Sequence, residues 1–266
     1  MRIVVLGARG MLGYELVKYF QSRNVDVIHS TRNEPVFKDA RFIKFDPKTC
    51  SLNALSSSDI IINCIGVVKS IAEIDPIETI KINGVFPLEL ANYCKANHIQ
   101  LFHISTDCVY DGKKGNYDEK DPHNALDLYG KSKSIGEPIN VMTIRTSIIG
   151  EERFGSKGLV EWVKSQNGGR INGYMNHMWN GMTTKQLSDC IYSMVKHQKY
   201  QNGAVHLFSD SISKYELVQA IADKFHLNLD IMPHNTDISI NRTLKSVHTL
   251  NDFLQIPKIR DQISAM

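Results

Sequence analysis

A tyrosine and a lysine four residues apart, in Tyr129-Gly130-Lys131-Ser132-Lys133, fall on one face of any helix that carries them. A phenol of ordinary pKa, about 10, is a poor acid or base near neutrality. A nearby ammonium favours the phenolate, and each tenfold change in that protonation equilibrium corresponds to about 1.4 kcal/mol. Such a pair can move a proton onto or off a carbonyl oxygen, and the lysine can also hold a ribose hydroxyl. The spacing alone is common on amphipathic helices; its setting gives it weight. Upstream, Ser105-Thr106-Asp107 directly follows an apolar run, Leu101–Ile104. A hydroxyl at the end of such a strand can bond a carbonyl under reduction and share the developing negative charge with Tyr129. Thr106 is the hydroxyl expected to do so.

A second constellation begins at residue 7. Gly7-Ala8-Arg9-Gly10-Met11-Leu12-Gly13 follows a β-branched run and opens an amphipathic helix. Glycines allow a tight turn and let backbone amides approach a pyrophosphate, while the helix N-terminus adds partial positive charge. The spacing, GxxGxxG, predicts a dinucleotide site at Gly7, Arg9, Gly10, Met11, Leu12 and Gly13. The carboxylate that would bind an NAD ribose is missing after the second strand, which reads Ile28-His29-Ser30-Thr31-Arg32. Hydroxyls and guanidinium groups at Ser30, Thr31, Arg32 and Arg9 suit a 2′-phosphate instead, so the expected cofactor is NADP(H). Asp46, after the third strand, and Cys64-Ile65-Gly66, after the fourth, are the remaining expected cofactor contacts. Asn63 either lines that pocket or ends its strand, and Asn83-Gly84 reads as a packing feature.

These groups need a scaffold that gathers strand ends at one edge. The first half supplies it: short apolar strands at Ile3–Leu6, Val25–Ile28, Phe42–Phe45, Ile60–Asn63, Leu101–Ile104 and Val141–Arg145 alternate with helices at Met11–Ser22, Ile77–Ala96 and Leu128–Glu137. That rhythm predicts an α/β fold, a Rossmann-type doubly wound parallel sheet covered on both faces. After Gly150 the pattern loosens. Helices are expected at Lys157–Gln166, Thr184–His197 and Lys214–Phe225, the last capped by Ser213 with Glu216 three residues on, and a strand at Ala204–Phe208. Residues 1–149 are thus assigned to the dinucleotide-binding domain. Residues 150–266 go to a smaller lobe facing the open sheet edge, across a soft boundary that elements can cross.

The 266 residues suffice for a main domain with a lobe attached. A hydrophobic share of 42% and a charged share of 22% exclude disorder and fibrous repeats. Net charge is only +3 and no long basic run occurs, which leaves nucleic-acid binding without electrostatic support. Five scattered cysteines, none in CxxC spacing, read as reduced thiols rather than a metal cage or disulfide frame. No stretch is apolar and long enough to span a bilayer. A strand at the first residues argues against a signal peptide, so a cytoplasmic protein without membrane association is expected.

Taken together, GARGMLGYEL, the segment from Asn63, ETIKIN (Glu78–Asn83), STDCVYDG (Ser105–Gly112) and YGKSK resemble an extended short-chain dehydrogenase/reductase. Within that group the chain is most similar to the dTDP-4-dehydrorhamnose reductase branch. The likeness is strong over residues 1–146 and thinner over GMTTKQLSD, GAVHLFSDSISKYEL and NRTLKS. It implies a substrate-binding C-terminal lobe and NADPH-dependent reduction of a nucleotide-linked 4-keto-6-deoxy sugar for surface polysaccharides. Tyr129 would be the proton donor, Lys133 its pKa-lowering partner, and Thr106 with Asp107 the sugar contacts. Arg170, Lys185 and Arg242 are candidate diphosphate partners, chosen only because cations are needed there. A homodimer is compatible with this reading. Where the branch usually reads RTSWVYG, this chain has Arg145-Thr146-Ser147-Ile148-Ile149-Gly150, and Cys64–Val68 replaces a run of small residues; both changes leave the sugar open. Cys108 stands where related dehydratases have a catalytic glutamate, which disfavours dehydration. An epimerase with retained cofactor, or a non-catalytic NADP-binding regulatory subunit like that of methionine adenosyltransferase, are the alternatives.

Overall fold

The computed structural model describes residues 1–266. Seven strands form one parallel sheet: β1 (Ile3–Leu6), β2 (Val27–Thr31), β3 (Phe42–Lys44), β4 (Ile60–Asn63), β5 (Gln100–Ile104), β6 (Met142–Arg145) and β7 (Gly203–His206). Their spatial order is β7-β6-β5-β4-β1-β2-β3. Strand order reverses between β1 and β4, and the crevice beyond the carboxyl ends of such strands is where ligands bind in open parallel sheets. Successive β1 residues sort to opposite faces. Ile3 and Val5 join Leu16, Phe20, Ile62, Leu187 and Ile191, while Val4 and Leu6 join Ile61, Leu90 and Leu101. Helices cover both faces, which is why these strands can be apolar throughout.

Helix α1 (Met11–Ser22) lies on the first face, α2 (Phe86–Ala96) on the second, and α3 (Leu128–Ile135) carries the tyrosine–lysine pair. α4 (Leu159–Ser165) and α6 (Lys214–Lys224) belong to the smaller lobe, around Val160, Val163, Trp179, Leu217, Ile221 and Ile259. Ser213 and Glu216 close the capping box that their spacing predicts. Between them in sequence, α5 (Thr184–Lys196) packs on α1 and β7 pairs with β6. Residues 184–206 therefore belong to the main sheet, inside the stretch assigned to the second lobe.

Two elements differ from expectation. β2 continues to Thr31 because the carbonyls of Ser30 and Thr31 accept from the amides of Ala8 and Phe45. The helix expected over Ile77–Ala96 is broken: Pro76–Thr79 is α-helical, Ile80–Val85 forms a widened π turn, and α2 follows. Pro87 explains the change, since its ring would collide with the carbonyl four residues back, that of Asn83, in a regular helix. A Cβ added to Gly136 would come within 1.8 Å of that carbonyl oxygen, so the end of α3 packs directly against it.

Beneath the sheet edge lies a buried ionic network. Arg145 on β6 donates through Nε and Nη2 to Glu137, 2.9 Å each, and through Nη1 to the Tyr110 hydroxyl at 2.8 Å. Ser105 also donates to Glu137, and His206 on β7 sits 3.2 Å from Arg145 Nη1. Three adjacent strand ends and the segment after α3 are tied together here.

Candidate active site

The glycine turn has the geometry its residue types dictate. Gly7 adopts φ +84°, and a Cβ on Gly13 would sit 2.3 Å from the Gly7 carbonyl oxygen. α1 starts at Met11 with Gly10 as its cap, no side chain bonds the first amides and no acid occupies the first turn. The N–H groups of Met11 and Leu12 are thus left for a ligand, and their dipole favours an anion. Ser30 and Thr31 are buried: the Ser30 hydroxyl accepts from the Gly7 amide at 3.4 Å, and Thr31 donates to the Glu34 carbonyl at 2.7 Å. They shape the turn from behind, while Arg32 alone of this segment reaches solvent. Arg9 stacks on Phe154 at 4.6 Å. Asp46 lies just beyond β3 and opens a turn, accepting from the Lys48 amide.

Lys133 is buried, and its ammonium donates to the Ile104 carbonyl at 2.8 Å. Gly66 lies beside it and close to Asn83, whose side-chain oxygen a Cβ at 66 would approach to 3.3 Å. Burial lowers the lysine pKa to about 8, against the opposing pull of Glu137. Asn63 is wholly buried and ends its strand, accepting from the Ile65 amide and bonding His103 Nδ1 at 3.1 Å. Burial and Lys133 together keep His103 neutral. The Cys64 thiol, beside Lys133, is pushed up to about 12 by burial.

Tyr129 lies one turn before Lys133, above an N-cap by Asp127 on the Gly130 amide. Gly130 is obligatory, because a Cβ would come within 2.3 Å of the Cys108 carbonyl oxygen. The phenol is buried beside the turn after β5, where Thr106, Asp107 and Cys108 lie. One expectation needs correcting: the phenol pKa is raised, not lowered. Burial dominates, Cys108, Asp107 and Asp127 add to it, and nearby Thr106 opposes them; the lysine charge is directed to the Ile104 carbonyl instead. Tyr129 is therefore a firmly protonated donor. The two hydroxyls after β5 also part company. Ser105 is committed to Glu137, whereas Thr106 caps the turn after it and donates to the neighbouring Asp107 carboxylate at 3.2 Å, on the side that packs against α3.

The second lobe contributes Arg242, whose Nε donates to the Tyr110 carbonyl at 2.9 Å and Nη2 to that of Asp111 at 3.3 Å. Its charge, with that of Lys214, faces the buried Asp107, whose pKa burial nevertheless raises. The other two cations proposed as diphosphate partners lie elsewhere. Arg170 pairs with Asp230 on the neighbouring strand at 2.6 Å, and Lys185 donates to the Ala265 carbonyl at 2.7 Å. Both are exposed and already partnered on the surface.

Two participants escape sequence reasoning. Asn83 is no mere packing residue: its amide brackets Val67, accepting from the N–H at 2.8 Å and donating to the carbonyl at 3.0 Å, and donates to the Ser132 hydroxyl at 3.2 Å. It clamps the loop after β4 to the helix carrying Tyr129 and Lys133. Pro87 within a helical pattern is the available signal. Lys214 is the other, with no motif to mark it.

Residues 1–249 match the family described as RmlD substrate binding domain. The chain belongs to that family. Among curated relatives, the spore coat polysaccharide biosynthesis protein SpsK of Bacillus subtilis is 25% identical over 260 residues, covering 94% of this chain and 88% of the relative. The dTDP-4-keto-6-deoxy-D-glucose reductase of Streptomyces niveus is 27% identical, over 74% of this chain and 69% of its own. A solved structure described as a hypothetical dTDP-4-dehydrorhamnose reductase from Sulfolobus tokodaii superposes with a TM-score of 0.80 at 25% identity, covering 98% of this chain and 99% of that one. The family's extended Rossmann-like fold is the one described above. No helix is long and apolar enough to cross a membrane.

Proposed function

We propose that this protein is a ketoreductase for a nucleotide-linked 4-keto-6-deoxy sugar, using NADPH, in surface-polysaccharide sugar biosynthesis. The observation that carries the proposal is the packing of α3, which places Tyr129 one turn before the buried Lys133, directly against the turn after β5 that carries Thr106 at the carboxyl edge of the sheet. The residues fit a dinucleotide, for Gly13 leaves no room for a side chain and the Met11 and Leu12 amides have no other acceptor. The first lobe, residues 1–149, would hold it through this turn, Arg9, Arg32, Asp46, the Cys64–Gly66 loop and Lys133. Residues 150–266 would supply the far wall of the cleft, although Thr184–His206 builds part of the main sheet. When bound, the reduced nicotinamide supplies the hydride. Thr106 orients the ketone oxygen, Tyr129 gives it a proton, and Lys133 holds the ribose.

The dTDP-sugar activity named for the Streptomyces relative supports the substrate class, and the SpsK name supports a place in polysaccharide synthesis. The test is NADPH consumption with 4-keto-6-deoxy sugars on dTDP, UDP, GDP and CDP. Oxidation with at least one of them is expected, and NADH of equal efficiency would remove the NADP preference. Failure with all four, despite NADPH binding, would leave a non-catalytic subunit; a nucleotide that co-purifies and does not exchange would mark an epimerase.

Cofactor affinity should also depend on pH. Lys133 is charged below about pH 8 and neutral above it. Its grip on the ribose should therefore fade as pH rises through that value, and the NADPH dissociation constant should increase between pH 7 and 9. Lys133→Met should bind more weakly at pH 7 and lose this pH dependence. Wild-type affinity that stays level across the range overturns the role.

A further inference from the structure

Lys214 is hard to explain on structural grounds alone. It is the first residue of α6, where the helix dipole disfavours a cation. It is half-buried, donates no hydrogen bond and has no carboxylate within salt-bridge range. Glu216, the acid on its own first turn, is taken by Ser213 and Arg260. Burial accordingly holds the lysine pKa below its usual value. Its ammonium lies over the Trp179 ring, 4.9 Å from the centroid, and its charge acts on Asp107 and Cys108.

Arg242 repeats the theme from another segment. Two backbone carbonyls fix its Nε and Nη2, and Nη1 donates to nothing in the protein. Lys214 and Arg242 directly follow two short strands, Ile212–Ser213 and Ile240–Asn241, that both pair with His177–Trp179, and the one carboxylate on which both charges act is Asp107; Lys69 nearby pairs with Asp127 at 2.7 Å. The balance is one positive charge too many for the protein alone.

We propose that Lys214, with the free edge of Arg242, binds an anionic group of the nucleotide sugar and so helps to set substrate specificity. This rests on the nucleotide-sugar reading above. Anionic oxygens could come from the diphosphate or from a carboxylate on the sugar, and the test separates the two. Calorimetric titration would use a nucleoside diphosphate, its neutral hexose ester and its hexuronate ester, each on the base selected by the activity screen.

Lys214→Met keeps an unbranched side chain of similar length beside Trp179 and removes the charge; it is expected to lower affinity roughly tenfold or more. Loss with the bare diphosphate assigns the diphosphate, and loss confined to the hexuronate ester assigns the sugar carboxylate. Lys214→Arg should retain most of the affinity, and NADPH binding should be unchanged in both variants. Equal binding of all three ligands by wild type and Lys214→Met sinks the assignment alone. A wild type that binds none of them sinks the nucleotide-sugar reading together with it.

Discussion

Tyr129→Phe is expected to cut turnover by about 10²–10⁴-fold while leaving NADPH affinity nearly unchanged. The ring stays, so the packing of α3 on the turn after β5 survives, and only the O–H is lost. Nothing nearby can replace it. The Cys108 thiol is pushed up to about 12 by burial and by Asp107, and the Thr106 hydroxyl, whose proton points to the Asp107 carboxylate at 3.2 Å, is a far weaker acid than a phenol. Lys133 carries a proton at neutral pH, but its ammonium is directed to the Ile104 carbonyl. Single-turnover oxidation of NADPH followed by absorbance separates this chemical loss from cofactor binding. A variant with near-normal turnover would refute the role of the phenol.

Arg145→Met should destabilise the protein by about 3–5 kcal/mol, because it strands the Glu137 carboxylate in a buried site. Both side chains of that pair are 7% exposed, so water cannot stand in for the lost partner. For a chain of this size the melting temperature should fall by on the order of 10 °C. Replacing both members, Arg145→Met with Glu137→Leu, should recover part of the loss, since the unpaired charge is then gone as well. Thermal and denaturant unfolding of the three variants measure this. A single variant that melts within about two degrees of wild type would show that the pair contributes little.

Much of this architecture is legible from local signals. Continuous β-branched runs announce strands buried on both faces, and Gly7, Gly10 and Gly13 announce the turn, because Gly7 takes a positive φ and a Cβ on Gly13 would collide with the Gly7 carbonyl. Tyr129, Lys133 and Thr106 stand out since each sits at a strand end or on one helical face, both of which spacing encodes. What spacing does not encode is the destination of a charge. The lysine is expected to depress the tyrosine pKa, yet a backbone carbonyl takes the ammonium and burial controls the phenol. For the same reason Arg170, Lys185 and Arg242 look equivalent as letters, and only their partners, Asp230, Ala265 and the Tyr110–Asp111 carbonyls, distinguish them. Lys214 has no motif because its position depends on how the second lobe folds against the first.

The widened turn at Ile80–Val85 makes one stretch of the chain intolerant of any change in length. Removing a single residue there would restore ordinary winding and rotate everything before it by about 100° relative to α2. The Asn83 amide would swing away from Val67 and Ser132, and its carbonyl away from the hollow that Gly136 leaves. Homologues that gain or shed residues should do so in the surface loops and keep this count fixed, whatever letters they place around it.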